Sequence, residues 1–247
     1  DANIHPQAQE YCDGIDSNCN GLSFYEEDLD NNGLLACEES VWFRNSSSNI
    51  TNPNGNYSQA ASYLLNAGVS IQQFFHGNNT VTSSLLQDIG LYVHHGANPD
   101  GAIRAYTNAE AYALQDWVYN GGRLLYIGYG SHVDCSIADS IPSQFGFSCT
   151  PGGSGMSGST NIFAAHPISN GLSVIGGQGG ENWSASAPAE VLAEVNGHLL
   201  VATAEYGEGK VVLVANQWPF YNSGNGYRIN YGDNEQLVEN IWNWLLE

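Results

Sequence analysis

Basic residues are the scarcest feature of this 247-residue chain. Lysine and arginine together number 5, whereas aspartate and glutamate number 25, which gives a formal net charge of −20. Charged residues make up only 12% of the chain, so the acidity reflects missing cations rather than an excess of carboxylates. Because phosphate groups are bound mainly by cationic side chains, we expect neither nucleic acid nor an anionic membrane as a partner.

Long apolar runs and closely spaced cysteine pairs are missing as well. No stretch reaches the roughly 18 apolar residues of a transmembrane helix, although 42% hydrophobic residues predict a folded protein. No two cysteines form a C-x-x-C zinc or redox pair. Disulfides in an oxidising compartment are therefore our first interpretation, and buried thiols in a cytosolic protein are the alternative. We expect an extracellular or cell-surface protein. The cysteines are Cys12, Cys19, Cys37, Cys135 and Cys149.

The composition of the chain changes near residue 40. Residues 1–40 are dense in Asp, Asn, Glu and Cys and show almost no apolar periodicity. From residue 41 onward, strand-like and helix-like segments alternate. This change predicts two parts, a small module over residues 1–40 and an α/β domain over residues 41–247.

Two adjoining 12-residue windows, 16–27 and 28–39, match the pattern D-x-[DN]-x-[DN]-G-x5-E. Calcium takes six to eight oxygen ligands, and this spacing turns side-chain oxygens from positions 1, 3, 5 and 12 and one backbone carbonyl toward a single point. We therefore predict bound Ca²⁺, with a solvated acidic tail as the alternative. The predicted ligands are Asp16, Asn18, Asn20, the Leu22 carbonyl, Glu27, Asp28, Asp30, Asn32, the Leu34 carbonyl and Glu39.

The windows adjoin directly, so no EF-hand helices flank them. The segment Glu10–Gly21, with its Cys-Asp-Gly and Cys-Asn-Gly core, resembles the MopE-type metal-binding motif of bacterial surface and secreted proteins, and the resemblance extends over residues 10–39. The resemblance implies calcium or, in one branch of the family, copper, whose ligands this segment does not clearly supply. A disulfide between two of the three cysteines Cys12, Cys19 and Cys37 would staple the loops.

Residues 41–247 alternate between apolar strand-like runs and amphipathic helices. This pattern predicts an α/β fold with a doubly wound, mostly parallel sheet. Thr107 and Glu110 form a capping box that predicts a helix ending at Asn120. We predict strands at 40–45, 69–75, 89–94, 123–128, 190–195, 198–204 and 210–215, and helices at 57–66, 107–120 and 233–246.

Three segments of this part resemble the class I glutamine-amidotransferase-like superfamily, near its ThuA-like members. They are residues 88–96 with 117–128, the His-Pro-Ile-Ser-Asn-Gly-Leu segment 166–172, and residues 210–215 with the closing helix. The resemblance implies a flavodoxin-like, amidotransferase-like domain. It predicts a nucleophilic cysteine after strand 123–128, where Tyr129 or Ser131 stands, and a late His-x-Glu, where Asn216 and Gln217 stand.

Without that cysteine and that histidine we expect no glutaminase activity. The residues favour a protein that is not an enzyme. We expect Cys135 to pair with Cys149 rather than to act as a displaced nucleophile. Polar side chains at the strand ends and in later loops still predict a pocket that holds a metal, a hydrolytic centre or a sugar, although such histidines often only satisfy loop hydrogen bonds. The pocket residues are His94, His95, Tyr129, Ser131, His132, Asp134 and His166, with Glu181 nearby.

Two hypotheses follow. The first is a secreted or surface calcium-binding protein whose amidotransferase-like domain is non-catalytic and acts in interaction or self-assembly, as a surface-layer or filament subunit, with copies of itself or a cell-surface glycan as partners. A surface with few charged residues produces little electrostatic repulsion between neighbouring copies. The alternative is a secreted ThuA-like hydrolase or carbohydrate-active enzyme.

The first part of the chain also contains apolar residues that we expect to be buried against other apolar side chains. These could belong to another copy of the protein or to Val41 and Trp42 of the same chain. The residues are Leu22, Phe24, Tyr25, Leu34 and Leu35.

Overall fold

The computed structural model describes residues 4–6, 19, 39–44, 55–75, 80–87, 89–95, 106–128, 135, 140–153 and 155–247. The strands are β1 (Glu39–Arg44), β2 (Ser70–Phe75), β3 (Leu91–His95), β4 (Arg123–Ile127), β5 (Phe147–Thr150), β6 (Ser157–Thr160), β7 (Ile175–Gln178), β8 (Asn182–Ala185), β9 (Ala189–Val195), β10 (His198–Tyr206) and β11 (Gly209–Val214). The helices are α1 (Ser58–Asn66), α2 (Ser83–Gln87), α3 (Asn108–Tyr119) and α4 (Asn234–Leu246). None of these helices is long and apolar enough to cross a membrane.

Within the described residues, the main sheet has seven strands in the order β2-β1-β3-β4-β11-β10-β9. The first five of these strands run parallel to one another, and β10 and β9 continue the sheet in antiparallel fashion. Two small antiparallel pairs, β5 with β8 and β6 with β7, lie outside it. The chain is therefore a mixed α/β protein, as the alternation of elements predicts.

Strands β4 and β11 form the centre of the core. The four consecutive residues 124–127 of β4 are each at most 1% exposed, and so are residues 211–214 of β11. Consecutive buried residues are typical of a parallel strand whose two faces are both covered. Helix α4 contacts β4, β11 and α1, whereas α3 contacts β11 and α2.

The predicted capping box at the start of α3 is confirmed. The Thr107 hydroxyl accepts a hydrogen bond from the Glu110 backbone N–H at 3.3 Å, and the Glu110 carboxylate accepts one from the Thr107 N–H at 2.9 Å. The other carboxylate oxygen of Glu110 accepts from the Val81 N–H at 3.0 Å. The box therefore both starts α3 and fixes the chain that enters α2.

Helix α4 is held at its start by Asp233, the residue before it. The Asp233 carboxylate accepts hydrogen bonds from the Val174 N–H at 2.8 Å and the Ser173 N–H at 2.6 Å. These backbone donors, Val174 first, lower the pKa of Asp233 because they stabilise the carboxylate. At the other side of the helix, the Trp242 indole N–H donates to the Ala60 carbonyl of α1 at 3.0 Å.

Candidate functional site

The parallel strands β1, β3, β4 and β11 all end at one edge of the sheet, which we call the carboxyl edge. Arg44, His95, Ile127 and Val214 are the last residues of these four strands. Strand β1 lies between β2 and β3, so the direction of chain progression reverses at β1. Open α/β sheets bind their ligands at this edge, next to such a reversal point.

His94 lies one residue before the end of β3 and is only 2% exposed. Its Nδ1 is 2.9 Å from the Tyr106 hydroxyl, which is in turn 2.7 Å from the Tyr92 hydroxyl. The imidazole stacks on the Tyr126 ring with 4.4 Å between ring centroids and 19° between planes. His94 thus contacts Tyr106 and Tyr126, and Tyr106 in turn contacts Tyr92. We call these four residues the tyrosine cluster. This geometry matches the alternative in which a strand-end histidine satisfies local hydrogen bonds.

The pair β5–β8 lies over the end of β4. The Trp183 ring of β8 packs edge-on against Tyr126, with 5.5 Å between centroids. Trp183 pairs across the strands with Cys149, and Cys149 is joined to Cys135 by a disulfide. The predicted Cys135–Cys149 bond is therefore confirmed. It ties the chain that leaves β4 to the strand pair that covers its end.

Glu181 precedes β8 and is 1% exposed. Its Oε2 accepts hydrogen bonds from the Gly153 N–H at 2.8 Å and the Gly152 N–H at 3.2 Å. The neighbouring Gly180 has a φ of +96°, and a Cβ there would lie 2.7 Å from the carbonyl oxygen of Ala215, just after β11. Glycine is therefore required where the Glu181 segment passes the end of β11.

Asn216 and Gln217 occupy the position at which amidotransferases would carry a late His-x-Glu. Asn216 is fully buried, and its side-chain oxygen accepts a hydrogen bond from the Trp218 N–H at 3.1 Å. The Gln217 side-chain oxygen accepts one from the Tyr57 hydroxyl at 2.6 Å. Both amides therefore stabilise the turn after β11 and its contact with the start of α1.

His166 lies at the opposite end of the sheet from His94. Its ring packs edge-on against Trp244 of α4, with 4.9 Å between centroids, and its Nδ1 accepts from the Ile168 N–H at 3.1 Å. Lys210, at the start of β11, donates to the Trp244 carbonyl at 2.8 Å and lies over the same ring. His94 and His166 therefore do not share the pocket that was predicted to contain both. Burial lowers the pKa of His166 despite the nearby Glu205 and Glu190, which raise it.

The remaining predicted pocket residues are not placed by the structure. The backbone of His95 pairs with Arg44 and Ile127, and its side chain is outside the described part of the chain. Tyr129, Ser131, His132 and Asp134 also lie outside the described residues.

The three tyrosines of the tyrosine cluster were missed by sequence reasoning, although Tyr92 lies two residues before His94 on the same predicted strand. Tyr126 pairs directly with His94 in the β3–β4 register, so aligning the two predicted parallel strands would have found it. Tyr106 comes from the segment just before the capping box, and nothing in its spacing points to His94.

The predicted calcium ligands fall almost entirely on residues outside the described ranges. The exception is Glu39, whose backbone begins β1 and pairs with Ser70 of β2. The last residue of the second window is thus the first residue of the sheet. Among the residues that are described, no group of three or more His, Cys, Asp or Glu side chains is arranged to hold a metal ion.

One protein-family model matches the beginning of the chain. The model Cu-binding_MopE, described as "Putative metal-binding motif", matches residues 1–23. The expected metal-binding motif is therefore present, but the match begins earlier and ends earlier than the expected span 10–39, and the second window, 28–39, lies beyond it. No curated protein matches the chain.

Solved structures share the fold of the larger part. The N-terminal domain of a protein named mmIFT52 has a TM-score of 0.65 at 15% identity, over 84% of this chain and 97% of that one. A ThuA-like protein from Parabacteroides merdae has a TM-score of 0.53 at 12% identity, over 84% and 89% of the two chains. A ThuA-like protein from Bacteroides uniformis has a TM-score of 0.52 at 10% identity, over 85% and 91%. Such low identities show a common fold and leave function open.

Proposed function

We infer that this chain is an extracellular calcium-binding protein whose α/β domain is non-catalytic and serves in interaction or self-assembly. The observation that carries the second half of this proposal is the burial of His94 within the tyrosine cluster. A ligand or substrate at the carboxyl edge would have to displace packed aromatic rings to reach this imidazole. The metal-binding motif at the start of the chain carries the first half.

Calcium is the metal that the donor set favours. Both windows offer carboxylates, amide oxygens and backbone carbonyls at the spacing of a calcium loop. Copper sites instead use imidazole, thiolate and thioether ligands. Residues 1–40 contain no methionine and one histidine, His5, and a disulfide would remove two of their three cysteines from a copper site. The oxygen-rich loop would bind the ion and, because the segment has few apolar residues, would depend on the ion for its folding.

The absence of amidotransferase chemistry is supported by three positions. The sulfur of Cys135 is bonded to Cys149, so it is not available as a nucleophile. Asn216 and Gln217 hold structural hydrogen bonds where the catalytic histidine would stand. A thioester mechanism needs a thiolate next to a base, and these residues supply neither.

The order of the parallel strands supports the finer description of the fold. The order β2-β1-β3-β4-β11 is that of a doubly wound, flavodoxin-like sheet, with β10 and β9 added at one edge. Because Glu39 begins β1, a module over residues 1–40 would connect to the domain 41–247 without a linker. The ion-binding loops of this module, which we call the calcium arm or the arm, would then lead directly into the central sheet.

An extracellular location and self-assembly complete the proposal. The Cys135–Cys149 disulfide supports an oxidising compartment. Bound calcium would cancel charge on the arm and so reduce repulsion between the arms of neighbouring copies. The residues Leu22, Phe24, Tyr25, Leu34 and Leu35 would then be covered at the contact between copies.

Calorimetric titration of the chain with Ca²⁺ tests the metal. We expect calcium binding that weakens in Asp16→Ala and in Asp30→Ala, because each removes a carboxylate ligand from one window. Glu194→Gln removes the same charge from an exposed position on β9 and should leave binding unchanged. Absence of calcium binding, or tight binding of Cu²⁺ in its place, would contradict the proposal.

A further inference from the structure

Helix α3 forms one wall of an open groove of about 520 Å³ on the surface of the α/β domain. The groove is lined mainly by Ser83, Tyr112, Gln115, Asp116, Tyr119 and Tyr206. The helix buries its other side, with Ala111, Leu114, Trp117 and Val118 in the core. The residues of the groove are therefore not needed to attach α3 to the sheet.

Two of the most exposed large hydrophobic side chains among the described residues lie in this groove. Tyr112 is 60% exposed and Tyr119 is 57% exposed. They are seven residues apart, so they lie two turns apart on one face of α3, with Asp116 between them. Tyrosine rings exposed in this way are enriched at binding surfaces, because they present an apolar face and a polar tip.

The third ring of the groove is fixed by its neighbours. Tyr206, the last residue of β10, packs edge-on against Tyr119, with 5.8 Å between centroids. Its hydroxyl accepts a hydrogen bond from the Gln115 side chain at 2.9 Å. Tyr206 and Gln115 thus form a preformed base for the groove, and Tyr112 and Tyr119 stand above it.

The charge of the groove comes from Asp116. Among the described residues that line it there is no Lys, Arg or His, whereas the exposed carboxylate of Asp116 is present. The faces of aromatic rings attract cations through their quadrupole, most strongly when the cation is a guanidinium. Rings and carboxylate together therefore fit a cationic group with a flat, weakly hydrated surface.

A second copy of the chain is poorly supplied with such a group. The whole chain has 5 lysines and arginines. Three of them are engaged within the fold: Arg123 donates to the Glu208 carbonyl at 3.2 Å, Lys210 donates to the Trp244 carbonyl, and Arg228 lies over the rings of Trp218 and Tyr221. Charge complementarity therefore favours a different, basic partner, which the net charge of −20 would also steer toward this protein.

We propose that the α3 groove is a docking site for an arginine side chain on an extended basic segment of another protein. The guanidinium lies over the Tyr112 and Tyr119 rings and donates to the Asp116 carboxylate. The chain on either side of that arginine follows the groove past Ser83 and Tyr206. None of the described residues that line the groove belongs to residues 1–40.

Fluorescence anisotropy with two labelled 12-residue Gly/Ser peptides tests this site at physiological salt. One peptide carries arginines, and the other carries citrulline, the uncharged analogue, at the same positions. We expect the arginine peptide to bind and the citrulline peptide not to bind. Tyr112→Ala and Tyr119→Ala should each weaken binding about two- to fivefold, the effect of one exposed cation–π contact. Tyr112→Phe keeps the ring and should bind like the parent chain.

The charge control separates docking from general attraction. Asp116→Asn and Glu194→Gln each remove one negative charge and so reduce the long-range attraction of the basic peptide equally. Because only Asp116 lies in the groove, Asp116→Asn should weaken binding more than Glu194→Gln. Equal losses in the two variants, or unchanged binding in Tyr112→Ala, would overturn the proposal. Methylguanidinium that binds as tightly as the peptide would also overturn it, in favour of a small cation. Binding should persist in EDTA, which separates this result from the fate of the calcium arm.

Discussion

A histidine packs against aromatic rings at each end of the central sheet, and the two surroundings differ. His94, at the carboxyl edge, is 2% exposed and is held by the hydroxyl of Tyr106 and the ring of Tyr126. His166, at the amino end of β11, shares Trp244 with a lysine and lies within the electrostatic influence of Glu205 and Glu190. His94 is thus enclosed by core side chains, whereas His166 is only partly buried and lies near charged residues.

A polar residue at a strand end is therefore not evidence of a site by itself. His94 stands where the family resemblance predicts a pocket, yet its neighbours are core residues. We therefore expect His94 and its neighbours to contribute to stability through packing, and His166 to make a contribution to stability that depends on pH. The following predictions test the two contributions.

Truncation of the ring between His94 and Trp183 should have the largest effect. Tyr126→Ala removes a 1% exposed aromatic side chain, so we expect a loss of about 3–5 kcal/mol in the free energy of unfolding. Tyr112→Ala, at a 60% exposed position, should change it by less than about 0.5 kcal/mol. Urea unfolding measures both variants. A loss below about 1 kcal/mol for Tyr126→Ala would mean that the carboxyl edge is loosely packed and open to ligands.

Removal of the disulfide at the same end should cost somewhat less. Cys135 and Cys149 are 14 residues apart, and a loop of that size corresponds to about 3 kcal/mol of stabilisation through the unfolded state. The double variant Cys135→Ser, Cys149→Ser should therefore unfold at lower urea concentration, whereas Ser148→Ala, an exposed change between them, should not. Unchanged stability of the double variant would show that the bond does not anchor the β5–β8 pair.

Loss of the capping box should have a smaller effect. Thr107→Ala removes the hydroxyl that accepts from the Glu110 N–H, which costs about 1 kcal/mol in comparable helices. Thr107→Ser keeps the hydroxyl and should retain most of the stability. Equal stabilities of the alanine and serine variants in urea would contradict this role.

The pH dependence at His166 should be the smallest effect and should have a definite sign. Its folded pKa lies below 6.5, the value of the unfolded chain, mainly because burial disfavours the charged form. Below pH 6.5 the unfolded chain therefore binds the proton first. The free energy of unfolding consequently falls as the pH falls from 6.5 through the folded pKa, and then levels off for this group.

His166→Asn tests this sign. Asparagine keeps an acceptor for the Ile168 N–H at the start of the short helix Pro167–Ser169 but does not titrate in this range. We expect a flatter stability profile just below pH 6.5 in this variant than in the parent chain. Asp233, whose pKa is also lowered, contributes only at more acid pH, below its ordinary value of 3.8. A parent profile that rises toward acid between pH 6.5 and 5.5 would contradict the assignment.

The sequence predicts the regular elements of the domain closely. Helices α3 and α4 and strand β4 lie within one residue of the predicted bounds, because a capping box, flanking glycines and a continuous apolar run mark them. The Cys135–Cys149 bond was also predicted correctly. Strands β5 to β8 were not predicted. Ser157–Thr160 and Ile175–Gln178, for instance, are rich in Ser and Gly and lack alternation, and their pairing joins segments distant in the sequence.

The site is harder to predict than the fold. Strand ends locate His94 correctly at the carboxyl edge, but its burial depends on Tyr106, which reaches it from a different segment. His166 was grouped with His94 as a polar side chain of a later loop that could reach the carboxyl edge. Only the packing of residues 167–169 against α4 shows that His166 lies at the end of the sheet opposite the carboxyl edge. There the Asn240 side chain donates a hydrogen bond to the Ile168 carbonyl at 2.9 Å.

We propose that this protein acts through its calcium arm rather than through a reaction at the carboxyl edge of the sheet. Sedimentation velocity at high protein concentration, in millimolar calcium and in EDTA, distinguishes these two modes of action. We expect assemblies larger than one chain in calcium that dissociate in EDTA and are weakened by Leu34→Asp. A single monomeric species under both conditions would contradict it.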